Sequence, residues 1–402
     1  MTKSKEIYCS VHGFILLTPL ALRFVDTVEF QRLNWLHQLG ASFLIFSSAS
    51  HTRKSHALGV YHLARMAGQT LQRRHPDLVS DRTIELIAIA GLLHDIGHFA
   101  FSHVGDAVLV DMATPLRRHE RRSQALVEHM VRKYQIPMTD PEIDLVQRMI
   151  YPLDSDQEDW RFQIVSGTID VDRCDYVVRD SQNVGVMTGF GLHQVRHILD
   201  HCCIMDNQLS FHPKVARDCH ALLLARRELH YKVYQHRVSV AIETMLVDLF
   251  HLVEEHCGLK ASIHDLERFN AVHDGLLMRL YFDETAPPNA RDLIRRIWDR
   301  KLYKCVVEFD LHDALPLSAD IQIPDGVRVH ARWIGMDTSK AHPMGCIRFS
   351  GVQRPFWEHE QHRVFRVSVL STDPTRSHES IHVGERLANT AQCPTSSLRY
   401  YS

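Results

Sequence analysis

The sequence predicts a mainly α-helical fold with a smaller α+β region towards its C-terminal end. Two observations carry that prediction. Apolar residues recur at helical spacing from about Thr27 to Gly258, and beyond residue 285 short strand-like runs replace that rhythm. With 402 residues and 45% hydrophobic content, the chain can bury a sizeable core and divide into two or three units.

The elements follow in order. Gly13 to Leu22 is apolar but contains Pro19 and lacks a small-residue cleavage site, which argues against a signal peptide. Ser80-Asp81-Arg82-Thr83 reads as a helix start, because Ser or Asp accepts from the first unpaired amides. Ile84, Ile87, Ala88, Gly91 and Leu92 then recur at helical spacing. Pro137, Pro141 and Pro152 mark turns, and Ala221 to Glu254 reads as another long helix. Ala286-Pro287-Pro288-Asn289 is a loop and candidate boundary, followed by a short amphipathic helix from Arg291 to Asp299. Tyr303 to Phe309, Val327 to Ile334, Gly345 to Phe349 and Phe365 to Leu370 read as strands. The expected division is a helical core over 1–258, an α+β region over 259–371 and a flexible tail over 372–402, where Ser, Thr and Pro abound.

Composition narrows the function. The 46 basic and 48 acidic residues leave a formal net charge of −2, unlike a polybasic nucleic-acid coat. Arg73-Arg74-His75 and Arg117 to Arg122 are local basic clusters, read as solvated surface or as anion contacts. Nine cysteines, an odd number without a CxxC pair, fit a reduced compartment and argue against a disulfide scaffold. No apolar run is long enough to span a bilayer, so no membrane partner is expected. The expected location is intracellular: cytoplasmic, or nuclear in a eukaryote. Histidine is the outlier, with 29 copies, and directs attention to ligand clusters.

The densest chemical signal is Gly91-Leu-Leu-His-Asp-Ile-Gly-His-Phe-Ala-Phe-Ser-His103. His94 and Asp95 end a strongly apolar helix, where an imidazole and a charge are costly unless paired. A divalent cation would supply that pairing, and mixed nitrogen and oxygen donors suit Mn, Fe, Zn, Ni or Mg. A lone His-Asp pair is weak evidence, but Ser50 to Gly59 offers His56 and Ile169 to Asp180 offers closely spaced carboxylates. The plainer reading is a core histidine with exposed helix-capping acids.

Taken together, Ser50 to Gly59, Leu93 to His103 and Asp170 to Asp180 resemble the H…HD…D pattern of the HD superfamily. More specifically, the chain resembles the SAM-and-HD-domain deoxynucleoside triphosphate triphosphohydrolases from about Lys5 to Phe250. The likeness includes His12-Gly13, Phe30-Gln-Arg-Leu33, His37 to Ser42 and Tyr234-Gln-His236. It begins near the first residue, so a preceding SAM domain is not expected. The resemblance implies an HD-domain helical core that holds a divalent ion (Mn, Fe, Zn, Ni, Co or Mg) on His56, His94, Asp95 and Asp172. It implies proton-handling and phosphate-contacting roles for His98, His103 and His119, aligned by Asp106. Arg53 and Arg226 match family phosphate contacts, and Arg173 stands where the family has Lys. Gln38 and Asp180 match residues at the 3′-hydroxyl. Tyr176 matches the aromatic that excludes a 2′-hydroxyl, and His230 and Tyr234 match pocket residues. The implied reaction converts a dNTP to deoxynucleoside and inorganic triphosphate, in a homo-oligomer, with a second Mg ion admitted alongside the triphosphate.

Departures from the family pattern carry expectations of their own. Lys5, Asp26 and Gln31 match the family's activator pocket, but Tyr8 and Asn34 stand where the family has Asn and Arg, so GTP activation is expected to be absent or altered. Phe99-Ala100 replaces Gly-Pro and is expected to add bulk beside the site. Two other readings stay open: an HD nucleotidase or phosphodiesterase acting on monophosphates or oligonucleotides, and a nucleic-acid-binding regulatory protein on the same scaffold.

Overall fold

The computed structural model describes residues 4–153, 159–312, 327–333, 364–372, 377–390 and 398–401. Two compact units emerge. The first takes the described residues within 1–226 and 259–275, and the second those within 227–258, 276–337 and 358–402. This differs from the expected boundary at 258. Residues 259–275 return to the first unit because Asp274 Oδ1 accepts from Phe101 N at 2.6 Å and Arg32 Nη1 donates to Val272 O at 3.0 Å.

The first unit opens with an antiparallel hairpin of β1 (Lys5–Cys9) and β2 (Gly13–Leu17), pairing Lys5 with Leu17 and Cys9 with Gly13. Ile15 and Leu17 are buried while Phe14 and Leu16 face out, the alternation of a half-buried strand. Sequence reading took this stretch only as an apolar run. Helices α1 (Arg53–Arg74) and α2 (Asp81–Leu93) form the centre and pack on each other. Ser80 Oγ accepts from Thr83 N at 3.1 Å, so α2 starts where its cap predicts. Ile87, Ala88, Ile89, Ala90, Leu92 and Leu93 are all buried, so the second half of α2 is apolar on every side and ends with His94 and Asp95 in the interior.

Next come the short α3 (His103–Val108), then α4 (His119–Tyr134) and α5 (Asp140–Ile150), which packs on α2. Pro141 sits in the first turn of α5, where its missing N–H costs nothing, and Arg82 Nε donates to Glu142 Oε1 at 2.6 Å to join α2 to α5. Helix α6 (Val171–Val184) lies against α1, and its N-cap Asp170 accepts from Arg173 N at 2.7 Å. A second hairpin, β3 (Cys202–Met205) with β4 (Gln208–Phe211), precedes α7 (Ala216–Leu229).

The long helix expected over Ala221 to Glu254 is interrupted. After α7, His230–Tyr234 forms a π turn in which Gln235 N donates to His230 O at 2.9 Å, five residues back, and α8 (Arg237–Leu252) starts anew. Helix α8 packs on α9 (Pro288–Trp298) and on the first strand of a four-stranded sheet. That sheet runs β6-β7-β5-β8, with β5 Lys304–His312, β6 Val327–Trp333, β7 Val364–Ser371 and β8 Arg399–Tyr400. Three of the four expected strands thus coincide with β5, β6 and β7, while Gly345 to Phe349 lies outside the described residues. Residues 372–402, expected as flexible tail, contain α10 (Ser377–Thr390), which buries Val383, Leu387 and Ala388, and β8, which pairs with β5. An apolar stripe at helical spacing within a polar composition explains the difference. The architecture is mainly α, with the smaller α+β part in the second unit. Among the described residues no helix is long and apolar enough to cross a membrane.

Candidate metal centre and active site

His56 stands in the first turns of α1, His94 and Asp95 follow α2, and Asp172 opens α6. The ligand atoms of His56, His94 and Asp172 all lie within 4.8 Å of one another. His56 Nε2 faces His94 Nε2 at 3.3 Å, and Asp172 Oδ1 is 3.1 and 3.6 Å from these two nitrogens. Asp95 joins them, with Oδ1 3.3 Å from His94 Nε2 and Oδ2 3.7 Å from His56 Nε2.

The other ring nitrogens decide what this convergence is. His56 Nδ1 donates to Asp175 Oδ2 at 2.8 Å, and His94 Nδ1 donates to Gly91 O at 2.8 Å. Each bond fixes a tautomer whose Nε2 lone pair points at the other. Two lone pairs and two carboxylates aimed at one point repel unless a cation lies among them, so the donor set fits a divalent ion with mixed N/O ligands. Electrostatics agree. Burial alone would lower the His56 pKa, but the hydrogen bonds to Asp172 and Asp175 push it up to about 10, and Asp95 with Asp172 raises that of His94 despite its burial. The pocket carries surplus negative charge and takes up a positive one.

Asp95 Oδ1 also lies 3.3 Å from His98 Nε2, so the ligand group continues into a second cluster. There His98 stacks on His119 with centroids 3.9 Å apart, and His103 meets both rings edge-on. Asp106 Oδ2 accepts from His119 Nδ1 at 2.8 Å and lies 3.8 Å from His103 Nδ1, while Arg122 Nη2 donates to Asp106 Oδ1 at 2.6 Å. Burial would raise the Asp106 pKa, yet His119, His103 and Arg122 hold it well below the usual range. Burial, with Arg53 and His119 nearby, holds His98 well below the ordinary histidine value, so it is neutral near pH 7. Its Nδ1 is buried without a partner among the described residues. The loop between the clusters is strained: Phe101 and Ser102 adopt positive φ. Gly97 admits no Cβ, which would meet His119 O at 2.3 Å, so helix α4 closes directly on this loop.

The remaining sequence candidates divide. Gln38 and Asp180 meet at His51, where Gln38 N donates to His51 O at 2.9 Å and His51 Nε2 donates to Asp180 Oδ1 at 2.7 Å. The Tyr176 ring lies 6.4 Å from that of His56, and its hydroxyl accepts from Arg226 Nε at 2.9 Å. Arg53 is not an open phosphate arm: it is buried, paired with Asp95 and donating from Nε to Ser102 Oγ at 3.0 Å. Arg173 is turned back to Asp170 Oδ2 at 2.5 Å and to Gly167 O. His230 and Tyr234 belong to the second unit, edge to face at 4.9 Å on the π turn. Phe99 does not widen into the site. It is fully buried, 6.1 Å from the Phe269 ring, and fills the space over Gly105.

Sequence reasoning missed the residues behind the ligands. Asp175, one turn beyond Asp172 on α6, takes His12 Nε2 at 2.5 Å and Arg179 Nε at 2.7 Å as well as His56. The i, i+3, i+7 spacing of Asp172, Asp175 and Arg179 was the available signal.

Comparisons with known proteins agree with this geometry. The HD domain family matches residues 53–180 and the HD associated region matches residues 194–331. An HD domain-containing protein (L394) of Acanthamoeba polyphaga mimivirus is 33% identical over 343 residues, spanning 76% of this chain and 74% of that protein. The deoxynucleoside triphosphate triphosphohydrolase SAMHD1 of Homo sapiens is 31% identical over 345 residues, spanning 76% of this chain but 55% of the human protein. The SAMHD1 homolog of Dictyostelium discoideum is 30% identical over 335 residues, with 81% and 65% covered. The chain thus spans little more than half of the human relative. Its convergent His and Asp side chains, its matched HD regions and these relatives together establish that the chain belongs to the HD-domain phosphohydrolase superfamily.

Proposed function

We propose that this chain hydrolyses deoxynucleoside triphosphates to deoxynucleoside and inorganic triphosphate. The observation that carries the reading is Asp95 Oδ1, 3.3 Å from both His94 Nε2 and His98 Nε2, which couples a cation-ready group to a set of proton-handling histidines. His56, His94, Asp95 and Asp172 would hold the divalent ion. Such an ion lowers the pKa of bound water and polarises a phosphoryl oxygen.

The chain's own groups do the rest. Water adds to the α-phosphorus and the bond to the 5′-oxygen breaks, so that oxygen needs a proton. His103 is the exposed member of its cluster, and with Asp106 beside it a protonated imidazole is the natural donor. Neutral His98, donating to Asp95 from Nε2, keeps Nδ1 as an acceptor towards a phosphate-bound proton or water. Gln38, His51 and Asp180 supply hydrogen bonds for a 3′-hydroxyl, Tyr176 crowds the 2′ position, and Arg226 beside it faces phosphate. Arg53 acts by fixing Asp95 rather than by direct contact. Arg173, released from Asp170, completes the phosphate contacts. The relatives named deoxynucleoside triphosphate triphosphohydrolases support this substrate class, and a homo-oligomeric working form belongs to the same proposal.

The test is incubation of purified protein with each dNTP and each NTP under Mn, Mg, Fe, Co, Ni or Zn, with products separated by chromatography. Deoxynucleoside plus intact triphosphate is expected. Pyrophosphate or stepwise phosphate release would move the protein to another HD nucleotidase chemistry, and equal turnover of ribonucleotides would refute the sugar reading.

A further inference from the structure

The basic cluster Arg117 to Arg122 is split between two tasks. His119 and Arg122 turn inward to Asp106, whereas Arg117, Arg118 and Arg121 turn outward. The outward three line a cavity of about 440 Å³ together with Thr114, Pro115 and Tyr151. Arg118 Nη1 donates to the Tyr151 hydroxyl at 3.1 Å, and the Arg121 guanidinium lies 4.5 Å from the centre of the Tyr151 ring. Arg117 Nη1 donates to Val110 O at 3.0 Å and Arg121 Nη1 to Gln124 Oε1 at 2.9 Å. All these partners are neutral. Among the described residues none of the three guanidiniums has a carboxylate within 4.0 Å, and Glu120, the nearest acid in sequence, lies 3.5 Å from His119 Nδ1. Three positive charges held around one concavity by neutral contacts is an arrangement that like-charge repulsion opposes and an anion relieves.

We propose that this cavity is an oligophosphate-binding site separate from the catalytic centre, filled by inorganic triphosphate or by the phosphate chain of a nucleotide. Guanidinium forks match phosphate oxygens two at a time, and the volume lies in the range of small-ligand pockets. The open amides of the α4 N-terminus, whose cap Arg118 makes no side-chain cap bond, add to the positive field. One short stretch serves both places, so an anion on Arg118 and Arg121 would hold His119 against Asp106. The proposal does not depend on which phosphoester the enzyme cleaves.

Calorimetric titration of the metal-free full chain tests it, using inorganic triphosphate, inorganic phosphate and a non-hydrolysable nucleoside triphosphate as probes. The wild type should show two binding events for triphosphate. Arg118→Gln/Arg121→Gln should weaken one of them by about tenfold or more and leave the other in place. Equal binding of triphosphate and nucleotide identifies the phosphate chain as the ligand, and tighter nucleotide binding identifies a nucleotide source; both support the site. An unchanged isotherm in the variant overturns it. A second measurement needs no variant: triphosphate should protect Arg117 and Arg121 of the wild type from phenylglyoxal, mapped by mass spectrometry, and unprotected arginines overturn the proposal.

Discussion

Asp175 grips His56 from behind: its Oδ2 accepts from His56 Nδ1 at 2.8 Å, so His56 directs Nε2 at His94 and Asp172. The carboxylate is itself fixed by His12 and Arg179, and burial, which would raise its pKa, is overcome by Arg179, His12 and His56, keeping it ionised. Gly59 makes the arrangement possible, because a Cβ there would overlap Asp175 Oδ1. Asp175→Asn should therefore weaken divalent-metal affinity by about 10- to 100-fold, as loss of an outer partner of a ligating histidine does. Titration of the metal-free protein with Co(II), followed by its visible absorption, measures this directly. Wild-type affinity in the variant would refute the orienting role.

Removal of the ligands themselves needs care. Asp95 also neutralises the buried Arg53, so Asp95→Ala strands a cation in the interior and should cost about 3–5 kcal/mol. His94→Ala removes a buried ring and a bond to Gly91 O but strands no charge. The single His94→Ala variant is expected to lose turnover and bound metal with a modestly lowered melt, while His94→Ala/Asp95→Ala should melt markedly lower still. Thermal melts with metal analysis separate the two, and wild-type turnover in His94→Ala would sink the ligand assignment.

How much of this was legible follows from the physics of each position. His94-Asp95 stood out because an apolar helix cannot end in a buried charge without a partner, and the three strands seen as β5, β6 and β7 stood out by alternation. Asp175 did not stand out, since a carboxylate one turn beyond Asp172 looks the same whether it faces water or His56. The pairing of Arg53 was hidden for the same reason: its charge was visible, its partner was not, and Asp95 lies 42 residues away. The π turn at His230 was invisible because one slipped hydrogen bond barely disturbs an apolar stripe.

His62 gives the fold a pH dependence separate from catalysis. Burial, together with His12, Arg196 and Arg65, lowers its pKa to about 4. The unfolded chain takes up this proton near the ordinary value of 6.5, the folded chain only near 4. Neutral His62 thus contributes stability that is fully present above about 6.5 and is lost as pH falls towards 4. His62→Gln should flatten that part of the stability curve by about 1 kcal/mol after allowance for solvent screening. Urea denaturation of both proteins between about pH 7.5 and about pH 4, the span of the titration, measures the difference; parallel curves would refute it.

The N-terminal hairpin bears on activation. Tyr8 is 70% exposed and packs edge-on against Phe14 at 5.4 Å, while Asn34 Nδ2 and Lys54 Nζ both donate to Gln31 Oε1, at 3.1 and 2.9 Å. Gln31 Nε2 is spent on Val25 O at 2.7 Å, so a polar side chain of the expected activator pocket is satisfied within the chain. Asn34 stands where the resembling family carries Arg, and a lost charge 4 Å from a phosphate removes about 4 kcal/mol of attraction at an effective dielectric of about 20. That is enough to abolish a micromolar site. Turnover of dNTPs should change by no more than roughly twofold on adding GTP, whereas Tyr8→Asn/Asn34→Arg should acquire GTP dependence. Steady-state rates with and without GTP decide between these outcomes: strict GTP dependence of the wild type would show that other side chains supply the missing cation.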